Sequence, residues 1–489
     1  MRMIIVLLVS IYTTRVVLKV LGVEDYGTYN VVCGFVAMFS FLNSSMSNGI
    51  QRFYNYEGGK YGIDGITRVY RTSLILQVLL AIIIFIILET LGLWYVNKKM
   101  ILAPESLYAA NSVFQCSVCS LGILIIQIPY SAAILAYERM DYHALVSIID
   151  VFLKLIIVLI LPYIPLNKLF FYGFLQLIVA IVNFLLYFLY AVNNFKELTF
   201  KRTFDKKLFI SISTFSGWNI LDMFAWMTQG QGVNMVLNLF FGPILNAARG
   251  ISGQIQASIQ SFSQNIVTAF RPQLVQSYAQ NNLNRTTELM YSMSKIVFLL
   301  FFLLSTPIIF DIDFILQLWL GNNIPEYTAP FTILILLSMY PRNFAMVFAQ
   351  IVHATGKLKG FELLTAAIII TILPFSYFFL KIGANVMSVY WINLIICSIM
   401  FLACIIYFKR IYPFDITDYC KRVLLPCFNV SILSLLFPLF TLNILPSCWL
   451  RFSINAVFGS CLCIILSIFL LWNKKEKRLM RELLFKHKK

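Results

Sequence analysis

Charge is scarce in this sequence. Only 12% of its 489 residues are Asp, Glu, Lys or Arg, against about 25% in a typical soluble domain. Hydrophobic residues make up 60%, and the mean hydropathy is +0.83. That balance excludes a soluble fold. Histidine is scarcer still: His143, His353 and His487 are scattered through loops and tail, so no metal cluster is visible. No Gly-x-x-x-x-Gly-Lys-Ser/Thr loop occurs, so ATP hydrolysis would have to come from elsewhere. No connection between apolar runs is long enough for a separate domain. No small-residue cleavage site follows Met1-Arg2-Met3-IIVLLVSIY, so this start reads as a first membrane helix with almost no lead, not a signal peptide.

Two short motifs fail on context. Cys116-x-x-Cys119 has redox or metal spacing but sits in an apolar run with no nearby His. It reads as buried membrane thiols, as does Cys461-x-Cys463, and the ten cysteines give no disulfide framework. Asp311-Ile312-Asp313 imitates the DxD of metal-dependent glycosyltransferases. With no catalytic domain around it, it reads as interface residues.

What the chain has is length in apolar runs. About 20 apolar residues cross the hydrocarbon. About fourteen such runs occur, at 3–21, 26–51, 72–96, 108–136, 143–164, 168–192, 209–240, 244–270, 288–310, 327–351, 360–380, 384–408, 422–442 and 450–472. A barrel is excluded, since barrel strands alternate and run about 10 residues. The expected fold is all-α and polytopic: two six-helix bundles around a central cavity, plus two extra C-terminal helices. The expected divisions are a bundle over 1–193, a cytoplasmic linker over 194–208, a bundle over 209–408, two further spans over 409–473 and a basic tail over 474–489.

The net charge of +17 sits mainly in alternate short loops, carried by residues such as Lys60, Arg139, Lys201, Arg202, Arg271, Lys357 and Lys409. That is the positive-inside pattern and not a nucleic-acid face. It places both termini in the cytoplasm of a cytoplasmic (inner) membrane. The tail Lys474–Lys489 spaces Leu479, Leu483 and Leu484 as an amphipathic helix would. A solvated basic tail is the alternative.

One device recurs. Leu18–Lys60 turns at Gly22, runs apolar, and ends in Asn43, Ser44, Ser45, Ser47, Asn48, Gln51 and Arg52. Leu239–Asn281 turns at Gly242-Pro243 and runs through Ser, Gln and Asn to Arg271. Corner to arginine is 30 residues in one and 29 in the other, and the corners stand 220 apart. Two halves in the same orientation follow. Asn219, Asp222, Trp226 and Gln229 share one helical face, and Arg249, Gly253, Gln256, Gln260 and Ser263 share another. Such stripes line a water-filled cavity or bond helix to helix; their length and charge favour the cavity, with Asn219, Gln256 and Gln260 meeting substrate.

Charges within the runs are few: Arg15, Glu89, Asp150, Lys154, Asp222, Lys295 and Arg342. Asp150 and Lys154, four apart, pair across a turn, more as structure than as function. Asp222 has no oppositely charged residue four away, which makes it the candidate proton or cation site. Glu89, Lys295 and Arg342 read as reaching the interface, the last two by snorkelling. Arg15, Lys19, Arg52 and Arg249 lie on or beside the repeated hairpins and suit an anionic substrate, since guanidinium matches phosphate oxygens. Headgroup anchoring is the alternative for Lys19 and Arg52.

VSIYTTRVVLKVLGVEDYGTYNVVCGFVAMFSFLNSSMSNGIQRFYNYEGGK resembles the first hairpin of bacterial polysaccharide flippases of the O-antigen or capsule type. FFGPILNAARGISGQIQASIQSFSQNIVTAFRPQLVQSYA resembles the signature of their seventh and eighth spans. They belong to the multidrug/oligosaccharidyl-lipid/polysaccharide exporter superfamily. The resemblance implies a V of two bundles that moves undecaprenyl-diphosphate-linked oligosaccharide from inner to outer leaflet for surface polysaccharide such as lipopolysaccharide. It implies a cationic cavity for the diphosphate, a role carried to Arg15, Lys19, Arg52 and Arg249. It implies no cofactor and no catalytic residue. The expected partners are the lipid-linked substrate, membrane lipids, a coupling cation (H+ or Na+), and polymerase and glycosyltransferase proteins, with no nucleic acid. Two alternatives stand. A cation-coupled multidrug exporter would want an acidic, aromatic site. A membrane polymerase or ligase would want an outer loop longer than Phe310–Tyr327.

Overall fold

In hydrocarbon every backbone N–H and C=O must be satisfied within the chain, and the computed structural model answers with helices. It describes the backbone of residues 2–101, 106–137, 139–165, 167–195, 198, 205–321, 323–355 and 358–472. The side chains of 2–8, 41, 44, 45, 48, 215–222, 269, 271, 272, 275, 279 and 358 fall outside that description. No strand occurs among the described residues. The protein is an all-α polytopic membrane protein. Ten helices among the described residues are long and apolar enough to cross a membrane. The remaining expected runs, 3–21, 26–51, 209–240 and 244–270, are the ones rich in polar residues or crossed by residues outside the description. The expected basic tail lies outside the described residues.

Two compact units divide the chain, Met1–Ile251 with Ser376–Ile382, and Ser252–Phe375 with Gly383–Lys489. The first contains α1 (Arg2–Ala37), α2 (Phe41–Ile87), α3 (Leu93–Lys98), α4 (Leu107–Ala136), α5 (Met140–Ile160), α6 (Lys168–Asn194), α7 (Lys206–Met227), α8 (Val233–Phe241) and the start of α9 (Pro243–Ala279). Capping sets several starts. The Asn167 side chain accepts from Phe170 N and that of Asp205 from Leu208 N, both at 3.1 Å, each satisfying an otherwise orphaned first-turn donor. Within this unit α4 packs between α2 and α6. Their core joins Ile50, Tyr54, Val69, Tyr130 and Tyr187. Tyr54 donates to the Pro129 carbonyl at 3.3 Å, and the Tyr130 ring meets Phe184 and Phe188 edge-on.

The second unit holds the rest of α9, then α10 (Leu283–Phe310), α11 (Ile312–Leu320), α12 (Thr328–Thr355), α13 (Leu358–Ile370), the first part of α14 (Ile372–Lys381), α15 (Met387–Ile411), α16 (Ile416–Tyr419), α17 (Leu425–Ile444), α18 (Trp449–Ile454) and α19 (Ser460–Leu470). Here α12 packs on α15 and α10. Phe331 stacks on Tyr390 with centroids 4.0 Å apart, and Phe348 meets Phe401, Phe408 and Tyr419.

Three expectations are corrected here. Asp311 is not an interface residue: it is 1% exposed and accepts from Arg451 Nε at 2.5 Å and from Asn455 Nδ2 at 2.8 Å. A buried carboxylate needs such partners, and they come from helices that the sequence places 140 residues away. Lys295 does not snorkel: it is 1% exposed, with Nζ 6.0 Å from the Trp472 ring centroid. The cysteine pairs are only half inside. Cys119 and Cys461 are exposed on helix surfaces, whereas Cys463 is buried. Glu89 sits in a π-helical turn, Leu88–Gly92, where Gln115 donates to it at 3.1 Å.

Candidate functional site

The two repeated corners adopt the same backbone. Gly22 lies at φ 81, ψ 172 and Gly242 at φ 76, ψ −169. That region is essentially reserved for glycine. The chain therefore turns sharply twice, 220 residues apart, with one conformation. At the first corner, burial and then the neighbouring Glu24 carboxylate hold the Asp25 carboxyl above its ordinary range.

Beyond the corners the two hairpins meet within the first unit. A Cβ on Gly27 would overlap the Pro243 carbonyl oxygen and stand 2.7 Å from its carbon. A Cβ on Gly250 would stand 2.8 Å from three atoms of the Asn30 side chain, and one on Gly34 would stand 2.5 Å from Gln231 Oε1. Small residues let helix backbones approach closely and polar side chains bond across the gap. Asn234 Nδ2 donates to the Asn30 carbonyl at 3.1 Å. Asn246 Nδ2 lies 2.6 Å from both the carbonyl and Oδ1 of Asn234. Asn238 Oδ1 accepts from Ile101 N at 3.0 Å. All three asparagines are buried. For these polar residues, bonding from segment to segment is what the structure contains.

The expected cations fall in one unit. Arg15 and Lys19 are exposed, one turn apart on α1 before the Gly22 corner; Arg52 is exposed on α2; Arg249 is half-buried on α9. Gln256 and Gln260 belong to the other unit and turn toward α12, with their amide nitrogens 3.5 Å from Met339 Sδ and 3.9 Å from Met346 Sδ. The side chains of Asn219 and Asp222 lie outside the described residues. Gln229 is buried in a π-helical turn, Thr228–Gly232, between α7 and α8. No group of three His, Cys, Asp or Glu able to hold a metal occurs among the described residues.

The Asp150–Lys154 pair forms as its spacing predicts, at 2.8 Å. Sequence reasoning missed its third member: Asn183 Nδ2 donates to Asp150 Oδ1 at 2.7 Å from α6. A lone Asn in the apolar run 168–192 was the available signal.

The fold has known relatives. It is similar to the lipid II flippase MurJ in an inward closed conformation, with a TM-score of 0.73 and 14% identity over 96% of this chain and 97% of that one. It is similar to a multidrug resistance MATE family transporter of the MOP superfamily in an inward-facing conformation, with a TM-score of 0.64 and 14% identity over 84% of this chain and 95% of that one. An outward-facing MATE structure gives 0.57 and 14% over 84% and 96%. No protein-family model matches the chain, and no curated protein matches it. The likeness is one of fold.

Proposed function

We propose that this chain is a flippase that carries undecaprenyl-diphosphate-linked oligosaccharide from the inner to the outer leaflet of a bacterial cytoplasmic membrane, for surface polysaccharide of the O-antigen or capsule type. The observation that carries the reading is the placement of Arg15, Lys19, Arg52 and Arg249 in one unit, on or beside the two glycine-cornered hairpins. Fixed guanidinium groups match phosphate oxygens. The lipid II flippase MurJ has a similar fold, and the likeness to it runs over nearly the whole chain.

The mechanism we propose is alternating access without covalent chemistry. The diphosphate docks on the arginines, the sugar crosses through a polar passage, and the lipid tail stays in the bilayer. An inside-negative potential assists the outward move of a dianion by roughly 2.3 kcal/mol per charge per 100 mV. Asp222 is the proposed site of a coupling H+ or Na+ that resets the carrier. In this reading the bundles are 1–193 and 209–408, both termini face the cytoplasm, and polymerase and glycosyltransferase proteins are the functional partners. Deletion of the gene tests the reading: lipid-linked oligosaccharide should accumulate on the cytoplasmic leaflet. Normal surface polysaccharide in such a strain, with no second flippase present, refutes it.

A second reading, a cation-coupled multidrug exporter, draws on the MATE likeness. That likeness covers 84% of this chain where the MurJ likeness covers 96%, and the exposed arginines disfavour cationic drugs. Drug-resistance profiling of the deletion strain separates the two.

A further inference from the structure

Lys154 stands near the middle of the candidate span Met140–Tyr163. Its ammonium donates to Asp150 Oδ2 at 2.8 Å, while Asn183 Nδ2 occupies Asp150 Oδ1 at 2.7 Å. The carboxylate is thus held on both oxygens. The ammonium has three N–H groups, and one of them is used in this pair. The Lys154 side chain is nevertheless 45% exposed, and that of Asp150 25%. Asn183 Oδ1 is buried and accepts no hydrogen bond from the described residues.

A half-exposed ammonium at this depth needs water or an anion, and lipid tails supply neither. Snorkelling does not solve the problem. Tyr163 is nine residues on, about 14 Å along the axis, whereas a lysine stem reaches about 6 Å. The stem also runs back toward Asp150, at the centre of the span. The polar face continues: Tyr187, one turn beyond Asn183 on α6, lies with its Oη 2.8 Å from His143 Nδ1 on α5. The antiparallel pairs 143–187 and 150–183 therefore make a polar seam along the two helices. Within α5 and α6 the other acidic side chain is Asp141, in the first turn of α5, paired with Arg139 at 3.2 Å.

We propose that this α5–α6 face lines an aqueous passage and that Lys154 is a docking position for an anionic head group. A diphosphate oxygen would accept from the ammonium, and a hydroxyl of the same head group would donate to Asn183 Oδ1. The inference deepens the flippase reading and rests on it.

Binding of a polyprenyl diphosphate to the purified full chain in detergent tests it, with the thermal midpoint read in parallel. Lys154→Met should raise Kd by about tenfold or more, and Lys154→Arg should stay within about threefold, since it keeps the cation. The informative variant is the double change Asp150→Asn with Lys154→Met, which removes both charges and leaves none uncompensated. It should melt like the wild type yet bind as weakly as Lys154→Met. Wild-type binding in that double variant means the pair is structural, and the docking role falls while the flippase reading stands. Wild-type protein that fails to bind the probe overturns both. A second arm reads hydration alone. Lys154→Cys, in a chain with the ten native cysteines replaced by serine, should react in membrane vesicles with a membrane-impermeant thiol reagent. No reaction from either side, with Tyr163→Cys reacting normally, overturns the aqueous face.

Discussion

Replacing Gly27 by alanine should loosen the crossing of the two hairpins. A methyl there meets only backbone: the carbonyl group of Pro243, and the Ala247 nitrogen at 3.3 Å. No side-chain rotation relieves that overlap, so the helices must part by on the order of 1 Å to regain ordinary contact. Overpacking of this kind costs about 1–3 kcal/mol. The shift also stretches the 3.1 Å bond from Asn234 to the Asn30 carbonyl, and losing a buried hydrogen bond costs about 1 kcal/mol more. Against this, alanine gains about 0.5–1 kcal/mol over glycine in a helix. The net expectation is a loss of about 2 kcal/mol, a factor of about 30 in the folding equilibrium. Thermal unfolding of detergent-purified protein reads it as a midpoint lowered by several degrees. Gly253→Ala is the control, because nothing lies within 4 Å of its Cβ position, and it should melt no lower than the wild type. A Gly27→Ala protein as stable as the wild type would refute the close crossing.

Further outcomes follow from the same structure. Arg451→Met strands the Asp311 carboxylate, whose side chain is 0% exposed, and should destabilise by about 3–5 kcal/mol; adding Asp311→Leu should recover much of that loss in the same melting assay. Gly22→Ala and Gly242→Ala should each lower stability by about 1–3 kcal/mol through backbone strain alone, since the first Cβ meets nothing within 4 Å and the second only Ile101 at 3.7 Å. Arg15→Ala combined with Arg52→Ala should cut surface-polysaccharide output by about tenfold or more at unchanged membrane abundance, read by complementation of a deletion strain and immunoblot.

Legibility tracked sequence distance. The Asp150–Lys154 pair was readable because four residues close one helical turn, and the Gly22 and Gly242 corners because glycine is needed for that backbone. The partner of Asp311 was not readable. Arg451 is 140 positions away. Lys295 misled for the same reason: one lysine in an apolar run is equally compatible with snorkelling and with burial, and packing against Trp472 decides between them. Composition does not distinguish a residue that wets a passage from one that bonds a neighbouring helix. For Asn234 and Asn246 it was the second.

That division changes how the repeated hairpins should be read. The hairpins and the segments beside them carry two kinds of polar residue. Asn30, Asn234 and Asn246 spend their hydrogen-bonding capacity on one another and on backbone across a glycine-lined crossing. Arg15, Lys19 and Arg52 stay exposed. In a membrane, where apolar contact between helices gains little over contact with lipid, close packing and interhelical hydrogen bonds carry the association. The asparagines therefore supply cohesion that leucines would supply in water. The two classes separate by phenotype. Changes at the crossing should lower the melting temperature and the abundance of the protein together. Changes to the exposed cations should leave both intact and act on transport.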